Sequence, residues 1–171
     1  MDYLLRVADV TKKYGAFRAL EGVSLLIPRN KVTCIVGKNG SGKTTLLRLL
    51  TGRETITRGE IYHRKSEKDA VMSGGSEGLS IGFCAQENNL PSLLSVSELI
   101  QLFSSFAQVP VSAEKKKEEI RLLLGKVNVS GLLHSKYGSL SIGAKRKVSL
   151  LVALVNKAPL IMLDEPMAGL D

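Results

Sequence analysis

Gly37-Lys38-Asn39-Gly40-Ser41-Gly42-Lys43-Thr44 decides how the rest of the chain is read. The stretch fits G-x-x-x-x-G-K-[ST], a pattern that carries weight only between a strand and a helix. Here a β-branched apolar run, residues 32–36, precedes it, and a Leu-rich helical pattern, residues 45–50, follows. Gly37, Gly40 and Gly42 let the backbone bend until its N–H groups point inward, and the helix adds its partial positive N-terminus to the same spot. A polyphosphate suits that cradle. Lys43 is expected to reach the β and γ phosphates as a mobile charge, and the Thr44 hydroxyl to ligate Mg2+, which favours hard oxygen ligands.

Upstream, residues 3–10 and 23–27 are predicted as strands joined by a polar turn around Lys13-Tyr14-Gly15. Tyr14 has two readings, an aromatic that stacks on adenine or a partly buried turn residue. Downstream, Gly52 stops the helix and residues 56–62 form a short strand. Residues 63–78 are polar and read as a surface excursion, with His63 a solvated loop histidine. Residues 79–85 read as a buried strand that sets Gln86 at its carboxyl end, where ligands collect in open α/β sheets. Ser95-Val96-Ser97-Glu98 is a capping box opening a helix whose Leu99, Leu102, Phe103 and Phe106 share a face. A further helix is expected from Ser112 to near Gly125.

In the last third, Leu140-Ser141-Ile142-Gly143 leads into a helical stretch over 145–156. Three basic residues fall in its first turn, where the helix dipole disfavours cations, so an anionic partner is expected to offset them. Leu160-Ile161-Met162-Leu163 reads as a strand ending in Asp164-Glu165, two carboxylates suited to a phosphate-bound metal and to general-base work.

A chain of 171 residues, 44% hydrophobic and 23% charged, is long enough for one domain with its own core. The net charge of +8 admits an anionic partner, nucleic acid or a lipid surface. Only Lys115 to Lys117 form a run, however, and Glu114, Glu118 and Glu119 flank it, the pattern of a solvated helix face with pairs such as Lys115 with Glu119. Cys34 and Cys84 read as buried thiols, and no metal-type Cys spacing occurs. The longest apolar stretch, 148–155, is too short to span a bilayer.

Taken in order, these motifs resemble the nucleotide-binding domain of ATP-binding cassette (ABC) proteins. Tyr14 matches the adenine-stacking aromatic, residues 37–44 the Walker A motif, Gln86 the Q-loop glutamine, residues 140–144 the signature, 160–165 the Walker B strand with its catalytic glutamate, and 167–171 the D-loop. Gly82-Phe83-Cys84-Ala85-Gln86, Leu94-Ser95-Val96 and Lys145-Arg146-Lys147-Val148 look most like the A subfamily, mainly lipid exporters. The resemblance implies an α/β P-loop NTPase with an N-terminal antiparallel β subdomain, a RecA-like core (about 1–85 and 157–171) and a helical signature subdomain (about 86–156). It implies ATP held by Tyr14, Gly37, Lys38, Asn39, Gly40, Ser41, Gly42, Lys43, Thr44 and Thr45. Mg2+ would be held by Thr44, Gln86 and, through water, Asp164. Glu165 would act on the attacking water, with Lys43 and Gln86 as the other catalytic residues. Ser141 and Gly143 would serve the nucleotide of a second ABC ATPase domain, paired head to tail. The implied setting is the cytosolic face of a membrane, docked on a transmembrane domain, with ATP hydrolysis driving export and no nucleic acid involved. A soluble ABC ATPase working on ribosomes or nucleic acid is the alternative, as is a fragment without turnover.

Three departures accompany the resemblance. Ile142 and Ala144 stand where the family has LSGGQ, and a β-branched residue there neither takes a positive φ cheaply nor leaves room for a γ-phosphate, so the expected defect lies in the partner's site. Asn30-Lys31 replaces a Gly-Glu turn, which Asn tolerates. The sequence stops at Asp171, before a further strand and a switch histidine, a role neither His63 nor His134 is placed to fill. The expectation is a core incomplete at its C-terminus, with unpaired strand edges.

Overall fold

The computed structural model describes residues 2–64, 69–71, 79–86, 90–106 and 112–165. The chain divides into two compact units, residues 1–79 and 80–171.

The first unit is built on an antiparallel sheet of β1 (Tyr3–Tyr14), β2 (Phe17–Pro28), β3 (Arg58–Arg64) and β4 (Asp69–Val71), in the order β2-β1-β3-β4. The hairpin closes where Tyr14 pairs with Phe17 and Gly15 takes φ +58°. Both strands outrun their predicted limits because backbone pairing continues past the apolar residues into Lys12 and Lys13. Asp9, at φ +49° beside a register shift, interrupts the alternation there.

The region expected to be an excursion from residue 63 starts instead as sheet, with β3 running to Arg64 and pairing with β4. His63 is therefore not solvated. It is 2% exposed and shares with Ile61 the inward face that a two-residue period dictates. Gly74 and Gly75 lie outside the described residues.

Helix α1 (Lys43–Leu50) buries Leu46, Leu49 and Leu50, and Gly52 at φ +69° ends it as expected. Asn30 takes the left-handed turn, φ +53°. The predicted strand over 32–36 differs. The segment has no strand pairing among the described residues; Val32 is 99% and Val36 87% exposed, and Cys34 is exposed rather than buried. β-Branched side chains favour extended backbone, but a strand also needs a neighbour to bond, and none stands beside this run among the described residues.

The second unit pairs β5 (Ile81–Cys84) with β6 (Leu160–Leu163) in parallel, Cys84 beside Leu163. Three helices, α2 (Val96–Ser105), α3 (Ala113–Lys126) and α4 (Ile142–Val155), enclose a core that includes Val96, Leu99, Leu124, Tyr137, Val148 and Leu151. The capping box forms: the Ser95 hydroxyl accepts from Glu98 N–H and the Glu98 carboxylate accepts from Ser95 N–H. The buried stripe of α2 is Val96, Leu99 and Ile100, with Phe103 partly buried; Leu102 and Phe106 face out, because i, i+3, i+4 and i+7 from Val96 omit them. Ser112 caps α3, and Glu119 bonds Lys157.

Helix α4 opens at Ile142, so Lys145, Arg146 and Lys147 lie in its second turn rather than its first. It packs on β5 at Gly82, where a Cβ would stand 2.1 Å from the Ala153 carbonyl oxygen. Only glycine permits that approach.

Candidate functional site

The glycine-rich loop in the first unit is held by its own backbone. Gly40 and Gly42 take φ of +78° and +89°, conformations that favour glycine. Gly42 is the N-cap of α1 and also passes tightly over β2, since a Cβ there would lie 2.6 Å from Leu20 and 2.7 Å from the Ala19 carbonyl oxygen. Lacking a side-chain cap, the helix start leaves its first N–H groups available to an anion. The Lys43 ammonium folds back over the loop, donating to the carbonyl oxygens of Gly37 at 2.9 Å and Lys38 at 3.0 Å. Those are neutral acceptors, and a phosphate oxygen is a stronger one for the same ammonium. Lys38, Asn39 and Ser41 are exposed, and Thr44 and Thr45 half-buried.

Tyr14, 43% exposed, stands at the end of β1 in a cluster no sequence pattern announced. Its hydroxyl donates to Glu54, and the Lys12 ammonium lies 4.8 Å from the ring centroid. Lys12 and Arg48 approach the Glu54 carboxylate at 3.6 and 3.5 Å. The bond to Glu54 holds the Tyr14 hydroxyl above its usual pKa, and the same bond is the main cause that lowers Glu54. The ring is thus anchored at its hydroxyl and covered by a cation on one side.

In the second unit the chain brings Gln86, Asp164 and Glu165 together at the carboxyl ends of β5 and β6. Asp164 is 4% exposed, and its N–H donates to the Cys84 carbonyl at 2.9 Å, extending the parallel ladder by one bond. Glu165 is exposed and takes φ +47°, a backbone region uncommon outside glycine. The Gln86 amide donates to the Glu165 carboxylate at 3.0 Å. Burial raises the neighbouring Cys84 thiol above its ordinary pKa.

Arg146 is the residue sequence reasoning passed over. Of the three cations near the start of α4, Arg146, 2% exposed, is met by backbone: it donates through one terminal nitrogen to the carbonyls of Ala85 and Gln86 and through the other to those of Asp164 and Glu165. The available signal was its spacing, since Arg146 lies three and seven residues before Ser149 and Ala153, both buried on the same face.

At the signature, the Ser141 hydroxyl caps α4 by accepting from Ala144 N–H at 3.2 Å. Ile142 sits in ordinary helical backbone with its side chain 72% exposed, so the concern over a positive φ does not apply; its bulk at the helix end remains. Gly143 is half-buried and His134 exposed. The predicted D-loop, 167–171, lies outside the described residues.

Thr44 in the first unit carries a hard oxygen donor of the type Mg2+ accepts, and within the second unit Gln86 and Asp164 carry others. Among the described residues no group of three or more His, Cys, Asp or Glu gathers as a metal site. Nor is any described helix long and apolar enough to cross a membrane.

A family model described as ABC transporter matches residues 20–168. The chain is 34% identical over 168 residues to ABC transporter G family member 20 of Dictyostelium discoideum, covering 98% of this chain and 22% of that protein. It is 33% identical over 162 residues to the glucosylceramide transporter ABCA12 of Mus musculus, covering 95% of this chain and 6% of that one. The chain therefore spans less than a quarter of the length of either relative. Among solved structures, a dimeric ATP-binding cassette in a post-hydrolysis state, bound to ADP and Pi, superposes with a TM-score of 0.82 at 26% identity, over 98% of this chain and 76% of that one.

Proposed function

Since this chain belongs to the ABC transporter family, we propose that it is the ATPase module of a membrane transporter, coupling hydrolysis of Mg-ATP to export, with lipid as the cargo class. The observation that carries the reading is the loop of residues 37–44, where two left-handed glycines and an uncapped helix start form an anion cradle beneath a mobile lysine. In this reading the open side of Tyr14 stacks on adenine, and Lys43 exchanges the carbonyls of Gly37 and Lys38 for phosphate oxygens. Thr44, Gln86 and, through water, Asp164 would hold Mg2+, which would supply neutralising charge to the phosphates. Glu165 accepts a proton from the attacking water, while the Gln86 amide fixes its carboxylate. Catalysis is then mostly positioning and charge stabilisation.

Residues 86–156 form the helical subdomain, and Ser141 and Gly143 at the start of α4 face the nucleotide of a second ATPase domain. The dimeric assembly of the ADP-bound cassette supports that partner, and the match to a glucosylceramide transporter supports the lipid cargo. The module works at the cytosolic face of a membrane, docked on the transmembrane part of its transporter.

Nucleotide-dependent thermal unfolding of the full-length protein tests the reading. Mg-ATP at about 100 times its Kd adds ~2.7 kcal/mol to the unfolding free energy, and Lys43→Ala removes the effect. Equal protection of the variant, or no protection of either protein, overturns it.

A further inference from the structure

We propose that Arg146 is the positioning residue for hydrolysis, a planar clamp that fixes Gln86 and Glu165 relative to each other and ties both to the signature-bearing helix α4; this rests on the ATPase reading above.

The geometry is specific to a guanidinium. One terminal nitrogen serves the carboxyl end of β5, through Ala85 and Gln86, and the other serves the end of β6, through Asp164 and Glu165. Carbonyl dipoles converging at two adjacent parallel strand ends repel one another, and a buried positive charge between them reverses that repulsion. A lysine offers a point charge on a flexible stem and cannot hold both strand ends in one plane. The clamp also bears on Glu165, whose left-handed backbone at φ +47° turns its carbonyl toward Arg146 while its carboxylate receives the Gln86 amide. Through these backbone bonds Arg146 acts on the carboxylate indirectly. It lies one helical turn beyond Ile142 and Gly143 on α4, so the helix that presents the signature to a partner also grips the protein's own catalytic strand ends.

The test compares Arg146→Lys with Tyr137→Phe in the full-length protein. Tyr137→Phe breaks the buried contact between the Tyr137 hydroxyl, in the turn that precedes α4, and the Ser149 hydroxyl on α4, 3.1 Å apart, and removes none of the Arg146 bonds to the strand ends. The expected result is that Arg146→Lys lowers kcat about a hundredfold, the scale of an ångström-level misplacement, with the Kd for Mg-ATP unchanged, while Tyr137→Phe keeps its kcat at a comparable fall in Tm. Equal kcat in Arg146→Lys and the unaltered protein, or equal losses in both variants, overturns the proposal. Nucleotide-free NMR separates this from the ATPase reading. Even in a protein without turnover, the Gln86 side-chain amide and Glu165 carboxyl resonances move in Arg146→Lys and stay in Tyr137→Phe; resonances unmoved by Arg146→Lys overturn the clamp.

Discussion

The side-chain amide of Gln86 donates to the carboxylate of Glu165 across 3.0 Å, joining the ends of two parallel strands that lie far apart in sequence. An amide in place of that carboxylate would still offer an oxygen to Gln86. Glu165→Gln therefore keeps the local geometry and removes only the base. Turnover should fall by about 10²–10⁴ with Mg-ATP affinity retained, measured as steady-state ATPase rate against equilibrium binding. Normal hydrolysis by the variant would remove Glu165 from the mechanism.

Tyr14 and Glu54 make a pH prediction. The phenol is raised from 10.0 and the carboxyl lowered from 4.5, in both cases chiefly by their mutual hydrogen bond. A lowered carboxyl contributes stability above its unfolded value and loses it as pH falls through the folded one. A raised phenol contributes below its unfolded value and loses it as pH rises through the folded one. The difference in Tm between the native protein and Tyr14→Phe should thus be greatest between 4.5 and 10.0 and shrink on either side. A difference independent of pH would dismiss the bond.

At Gly82 the margin is steric. A methyl group placed 2.1 Å from the Ala153 carbonyl oxygen must push α4 off β5. Gly82→Ala should cost about 1–3 kcal/mol, as overpacking does, read from denaturant unfolding. Because α4 carries Arg146, ATPase activity should fall with stability. A variant as stable as the native protein would show that the helix has room to shift.

Ile142→Gly restores a small residue at the start of α4, where the isoleucine side chain is 72% exposed. Removing bulk at a helix start that serves a partner's phosphates lets the backbone N–H groups already there come closer, and should raise turnover in the partner's site about tenfold or more. Turnover in this chain's own site should change little. Nucleotide trapping resolved by site reads the difference, and equal change at both sites would refute the assignment.

The parts of the fold that depend on neighbours in sequence were legible. The loop of residues 37–44, the capping box at Ser95 and Glu98, and the left-handed turn at Asn30 all rest on short-range chemistry. What escaped depends on pairing across long separations. His63 reads as polar loop until β4 pairs beside it, and the run over 32–36 reads as strand although strand character needs a second backbone. Arg146 reads as one of three cations in want of an anion because its acceptors, the carbonyls of residues 85, 86, 164 and 165, have no side-chain identity in a sequence. The candidate site was legible as a set of residues, but the bonds that orient Tyr14 and Glu165 were not.

The run Val32-Thr33-Cys34-Ile35-Val36, exposed but for a half-buried Ile35, is five uncharged residues, mostly β-branched, without strand pairing among the described residues and without proline. Such a segment is a template for strand addition between molecules. Lys31 and Lys38 stand on either side as the charged residues that oppose it. A preparation of residues 1–171 alone is consequently expected to self-associate more readily at high salt, where those two charges are screened, and colloidal behaviour becomes the practical limit on handling it.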